Sequence, residues 1–265
     1  QNNRWYENAS TAYISTHPMT SERMSDMQNR TRHMSPVTHR DSMDFFLVKA
    51  RARVLQETTY DGWLKVSKSF ENELKRHPAG YSLVATQYGL SVAYAKMNQK
   101  DKALTAIRAA KAASKENSVI LDKHLAELTY QVAKTQAQKD QALALAKSTC
   151  NQYPYSGLAA SNYVELLFQS GKHQELVDYL RNQSALSRSN PDYHMYLARS
   201  YEALGKKSMA FAATGDMYAL LDNPRAAVYQ FELAQKANDG DFYIMSEIDA
   251  KLREQRQKVL DQKKD

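Results

Sequence analysis

Asn190-Pro191-Asp192-Tyr193 opens the stretch whose reading decides the fold. Leu197, Ala198 and Tyr201 follow at helical spacing, Gly205 breaks the helix, and Ala210, Thr214 and Met217 resume the spacing on a second one. Steps of three and four place these side chains on one face of each helix. Small residues on that face let two antiparallel helices approach closely, which is the tetratricopeptide pattern.

The pattern recurs at the 34-residue period of that repeat. One step back are Tyr163, Val164 and Leu167, the breaker Gly171, then Leu176 and Leu180. A further step gives Thr129, Tyr130 and Ala133, then Ala142, Ala146 and Thr149, with Pro154 just past the second helix. A longer step reaches Leu90, Ser91, Tyr94, Ala103, Ile107 and Ala110. Ala50, Val54, Val66 and Phe70, stopped by His77-Pro78, form a degenerate first repeat. Half a repeat forward are Gly215, Tyr218, Ala227, Phe231 and Ala234. A half-repeat is one helix, so the helices continue evenly to about residue 237. The segment from Asp241 to Lys263 then makes a terminal helix with a polar outer face, as the end of a solenoid requires.

The predicted fold is therefore all-α: a tetratricopeptide-repeat superhelix of antiparallel helix pairs over 41–265. A short N-terminal extension over 1–40 precedes it, and a capping helix closes it. Composition agrees. Glycine (8) and proline (6) are scarce in 265 residues, and the abundant residue types are helix formers. The net charge of +7 comes from 36 basic and 29 acidic side chains that interleave along the chain, which argues against a nucleic-acid partner. A single cysteine, Cys150, excludes an internal disulfide and a multi-cysteine zinc site, and it is predicted to be a packing thiol. No apolar run approaches the roughly 20 residues that span a bilayer. The chain opens on Gln1-Asn2-Asn3 rather than Met, and an N-terminal part is expected to precede it.

The chain contains no His-Glu-x-x-His, no glycine-rich phosphate loop and no Gly-x-Ser-x-Gly elbow. One short segment nevertheless bears on catalysis. Ser15-Thr16-His17-Pro18-Met19-Thr20-Ser21-Glu22-Arg23-Met24 resembles the segment that closes the catalytic domain of M48-type zinc metallopeptidases: Thr/Ser-His-Pro, then an Arg and an aliphatic residue. The run Asp41-Ser42-Met43-Asp44-Phe45-Phe46 and the ending Asn238-Asp239-Gly240-Asp241-Phe242-Tyr243 are similar to the subgroup that appends tetratricopeptide repeats. That subgroup has periplasmic members acting in outer-membrane protein assembly.

The resemblance implies that His17 contacts or gates a zinc ion and that Arg23 stabilises developing charge beside it, both only in the context of a protease domain carrying the zinc ligands. Residues 1–40 are then a remnant of that domain. This chain carries no cofactor of its own and is expected to be inactive alone, while the parent protein is a zinc metalloendopeptidase. The periplasm is the implied location, and unfolded outer-membrane proteins or their assembly machinery are the implied partners. The alternative is a cytosolic or periplasmic scaffold unrelated to proteolysis.

In a solenoid of helix pairs the first helices line a concave face. Their inward positions are predicted to be Tyr88 and Val92; His124, Gln131 and Lys134; Ser161, Glu165 and Phe168; and Met195, Arg199 and Glu202. Such a mixed aromatic, amide and charged lining suits an extended polypeptide. A terminal repeat could also pair with a second copy, so the pattern is compatible with more than one oligomeric state.

Overall fold

A computed structural model describes residues 20–32, 34, 41–183 and 189–262. The chain divides into two compact units, Gln1–Asp41 and Ser42–Asp265. In the first, helix α1 spans Thr20–Thr31, its Asp26 and Arg30 paired at 2.9 Å one turn apart.

The second unit holds α2 (Met43–Leu55), α3 (Tyr60–Leu74), α4 (Gly80–Lys96), α5 (Lys100–Ala113), α6 (Val119–Val132) and α7 (Gln136–Gln152). It continues with α8 (Gly157–Gln169), α9 (His173–Asn182), α10 (Pro191–Ala203), α11 (Lys207–Leu220), α12 (Pro224–Ala237) and α13 (Phe242–Asp261). Among the described residues there is no strand. Starts and stops follow local chemistry. Asn190 accepts a hydrogen bond from the Asp192 N–H at 2.9 Å, with Pro191 beginning α10, where its missing N–H costs nothing. Asp241 caps α13 in the same way through the Ile244 N–H at 2.9 Å.

The stops repeat. After α8 and α10, Gly171 and Gly205 take left-handed backbone angles (φ 68° and 74°), and the next N–H reaches back to Leu167 and Tyr201. Asn98 and Asp222 build the same turn after α4 and α11, at φ 59° and 53°, with Gln99 and Asn223 bonding back to Tyr94 and Tyr218. Four helices thus end on one geometry. The residue types that tolerate a left-handed angle supply each of them.

Each helix packs chiefly on its neighbours in sequence or the next but one, the contact pattern of a solenoid. The buried seam falls into three successive clusters. The first runs from Met43 and Leu47 to Leu121 and Leu128, the second from Ala126 to Ala213, and the third joins Ala227, Phe231 and Ala234 to Ile248 and Leu252. Ala103, Ala142, Ala146, Ala227 and Ala234, each fully covered, are the small residues through which paired helices touch. The second unit is thus a tetratricopeptide-type array.

The first pair departs from the ideal. Helices α2 and α3 both pack on α4 and touch each other little. Long side chains join them instead: Arg53 stacks over the Phe70 ring at 4.3 Å and pairs with Glu73 at 2.8 Å. At the other end, Lys251 of α13 pairs with Asp216 of α11 and with its own neighbour Glu247, both at 2.8 Å. Burial opposes the Lys251 charge, but the two carboxylates hold its ammonium pKa above the usual value.

Candidate protein-interaction surface

Helices α10 and α12 form the walls of a groove whose base is α11, and the space between them is about 650 Å³. Each helix gives the seam one strip of residues and the groove the adjoining strip. On α10, Tyr193, Leu197 and Tyr201 are buried, whereas Met195, Ala198, Arg199 and Glu202 border the groove. On α12, Ala227, Phe231 and Ala234 pack inward, and Gln230, Leu233 and Ala237 lie one position round the helix. The base contributes Phe211 and Met217, half-buried. Arg199, Glu202, Lys207 and Lys236 are exposed at its mouth. An apolar floor within a charged rim can hold an extended chain by its side chains while leaving its polar groups in water.

Of the positions predicted from sequence, Met195, Arg199 and Glu202 come together in this groove. Phe168 of α8 is half-buried against Tyr196 of α10, ring centroids 5.3 Å apart. Glu165, also half-covered, accepts a hydrogen bond from Gln169 at 3.1 Å, and Ser161 bonds back to the Leu158 carbonyl. Gln131 and Lys134 are exposed at the end of α6, outside the groove.

Tyr88, Val92 and His124 lie elsewhere: all three are buried in the array. Arg51 of α2 donates to the Tyr88 hydroxyl at 3.4 Å, and the Tyr88 and His124 rings meet edge to face at 5.5 Å. Helix α2 covers this face of α4, so the first of the four predicted lining sets is inside the packing. Ser91 gives its only proton to the Ala103 carbonyl at 2.7 Å. His124 Nε2, 3.1 Å from the Ser91 oxygen, must therefore be the donor. Its Nδ1 stands 3.7 Å from Glu127. Burial pushes the His124 pKa below the ordinary histidine value despite that carboxylate.

Sequence reasoning missed the groove residues of α11 and α12, because only first helices were expected to face inward. For Phe211 and Leu233 the signal was present, as apolar residues off the packing frame set by Gly215, Ala227 and Phe231; Met217, expected to pack together with Ala210 and Thr214, borders the groove instead, as they do. Cys150 is buried, as a packing thiol is expected to be. Tyr179 donates to its sulfur at 3.5 Å, and burial raises the thiol pKa. His17 lies outside the described residues. Arg23 is exposed on α1. Among the described residues, no three His, Cys, Asp or Glu side chains are grouped as a metal ion would need. Nor, among them, is any helix long and apolar enough to cross a membrane.

No protein-family profile matches the chain. Among solved structures, a MamA structure from AMB-1 aligns with a TM-score of 0.48 and 18% identity, covering 68% of this chain and 92% of MamA. A chain of the APC/C hetero-tetramer Cut9-Hcn1 aligns with a TM-score of 0.46 and 12% identity, covering 89% of this chain and 46% of that one. By sequence, the beta-barrel assembly-enhancing protease of Escherichia coli (strain K12) is 24% identical over 213 residues, and the relative from Shigella flexneri matches with the same figures. The alignment takes in 77% of this chain but only 40% of those proteins. Over most of its length, the chain is thus similar to a part of a beta-barrel assembly-enhancing protease.

Proposed function

We propose that this array is the polypeptide-docking module of a periplasmic zinc metalloprotease of the M48 type, one that acts in the assembly and quality control of outer-membrane proteins. The α10–α12 groove is the observation that carries the docking role. It is the place where exposed charged side chains ring a floor of half-buried apolar ones. The similarity to the beta-barrel assembly-enhancing protease, with the His17–Arg23 segment upstream, supports the protease context. In that context His17 and Arg23 belong to the catalytic cleft of the whole enzyme, and the repeats bring unfolded barrel proteins or the assembly machinery to it.

Photo-crosslinking through a probe at Leu233 tests this in cells: the expected products join the protein to outer-membrane barrel proteins or their assembly factors. A probe at Gln257, on the exposed far part of α13, should give few. Identical, sparse products from both positions would refute the docking role. Chelator-sensitive proteolysis by residues 1–265 alone would refute the division of labour.

A further inference from the structure

We propose that the α10–α12 groove selects segments in which a bulky apolar side chain is flanked by acidic residues, an inference that rests on the docking role proposed above. The charges at the mouth are unequal: Arg199, Lys207 and Lys236 against Glu202 alone. None of these three cations forms an ion pair with another described residue. Some surface cations elsewhere on the array do: Lys147 with Glu175, Lys172 with Asp140, Arg256 with Glu232, Lys258 with Glu254. What distinguishes the groove is that three cations and one carboxylate gather round one apolar floor. Carboxylates complement that excess, and a guanidinium such as Arg199 can grip one through two parallel hydrogen bonds.

The floor sets the other half of the preference. Met195 of one wall, Met217 of the base and Leu233 of the other wall line the same space, and thioether side chains adapt to apolar groups of different shape. A space of about 650 Å³ takes more than one side chain, so the occupant is an extended segment rather than a single residue.

Fluorescence anisotropy with the complete chain tests the preference. The probes are labelled peptides that share one central leucine and differ only in their flanks: glutamate, glutamine or lysine. At low salt the glutamate-flanked peptide should bind about tenfold more tightly than the glutamine-flanked one, and the lysine-flanked peptide more weakly than both. Raising the salt should erase the difference in the unaltered protein, because exposed charges are screened. Arg199→Glu combined with Lys236→Glu should invert the order. Equal binding of all three flanks, an advantage that salt leaves untouched, or an order unchanged by the charge reversal would each overturn the acidic preference while leaving polypeptide docking intact. If no peptide binds and crosslinking from Leu233 also fails, docking and preference fall together.

Discussion

Gly215 of α11 lies so close to Phe231 of α12 that a Cβ added to the glycine would stand 2.7 Å from the ring's Cε1. Phe231 is fully buried and anchors the terminal cluster. The absent side chain is what lets the two helices close over it. The same glycine-to-phenylalanine contact recurs between Gly89 of α4 and Phe70 of α3.

Gly215→Ala should therefore destabilise the array by about 1–3 kcal/mol through overpacking. Adding Phe231→Leu makes room, and the double variant should be less destabilised than the sum of the two single changes. Urea unfolding of all four proteins completes the cycle. Strict additivity would show that the contact does not limit the packing.

Gly171 makes a different demand, since open space surrounds its Cβ position and only its left-handed backbone is constrained. Gly171→Ala should cost about 1–2 kcal/mol. Gly157→Ala, beside the start of α8 with equally open space and an ordinary φ, should be neutral or slightly stabilising. Thermal unfolding by circular dichroism compares the two. Equal effects would remove the helix-stop role of Gly171.

Asp239 fastens the far end. From the link between α12 and α13 its carboxylate accepts the N–H groups of Lys207 and Ser208, each at 2.7 Å, at the start of α11, and the Ser208 hydroxyl oxygen accepts the Asp239 N–H. Hydrogen bonding from Ser208 holds the carboxyl pKa below its ordinary value of 3.8. A depressed carboxylate contributes stability that is fully present above pH 3.8 and lost as pH falls through the lower folded value. Asp239→Ala should cost about 1 kcal/mol at neutral pH, as the loss of a helix cap does. The gap between variant and parent should narrow below that range in melts run across acid pH. A gap independent of pH would exclude the carboxylate as the cause.

His124 acts over a milder range. Its pKa is lowered by burial, so as pH falls below about 6.5 the unfolded chain takes up a proton that the folded array resists. Stability should be full above that value and decline beneath it. His124→Gln should flatten the decline at the expense of some stability throughout. Midpoints of urea unfolding between neutral and mildly acid pH measure both slopes, and equal slopes would rule out His124 as the group that titrates.

The repeat was legible because residues such as Ala142, Ala146 and Gly205 are constrained by the helix pair itself: a larger side chain, or a backbone unable to turn left-handed, would prevent the pair from forming. The groove was half legible. Met195 and Arg199 follow from the position of α10 in its pair, whereas Phe211 and Leu233 depend on how α11 and α12 are rotated about their axes, which the 34-residue period does not encode. Tyr88 and His124 show the opposite error. Their spacing fits a lining, but α2 lies over Tyr88, and Tyr88 and Ser91 close on His124; a degenerate first repeat gives no sequence cue for where its helix will rest. Asn98 and Asp222 were passed over as stops because they are not glycines, although both residue types tolerate a left-handed turn.

The groove sits where two of the three buried clusters adjoin, its α10 wall rooted in the middle one and its α12 wall in the small terminal one. A guest gripping both walls would act as a splint across that joint. Fraying of α12 and α13 would then have to release the guest first. Tightness of grip and persistence of the array's end thus become two readouts of a single equilibrium.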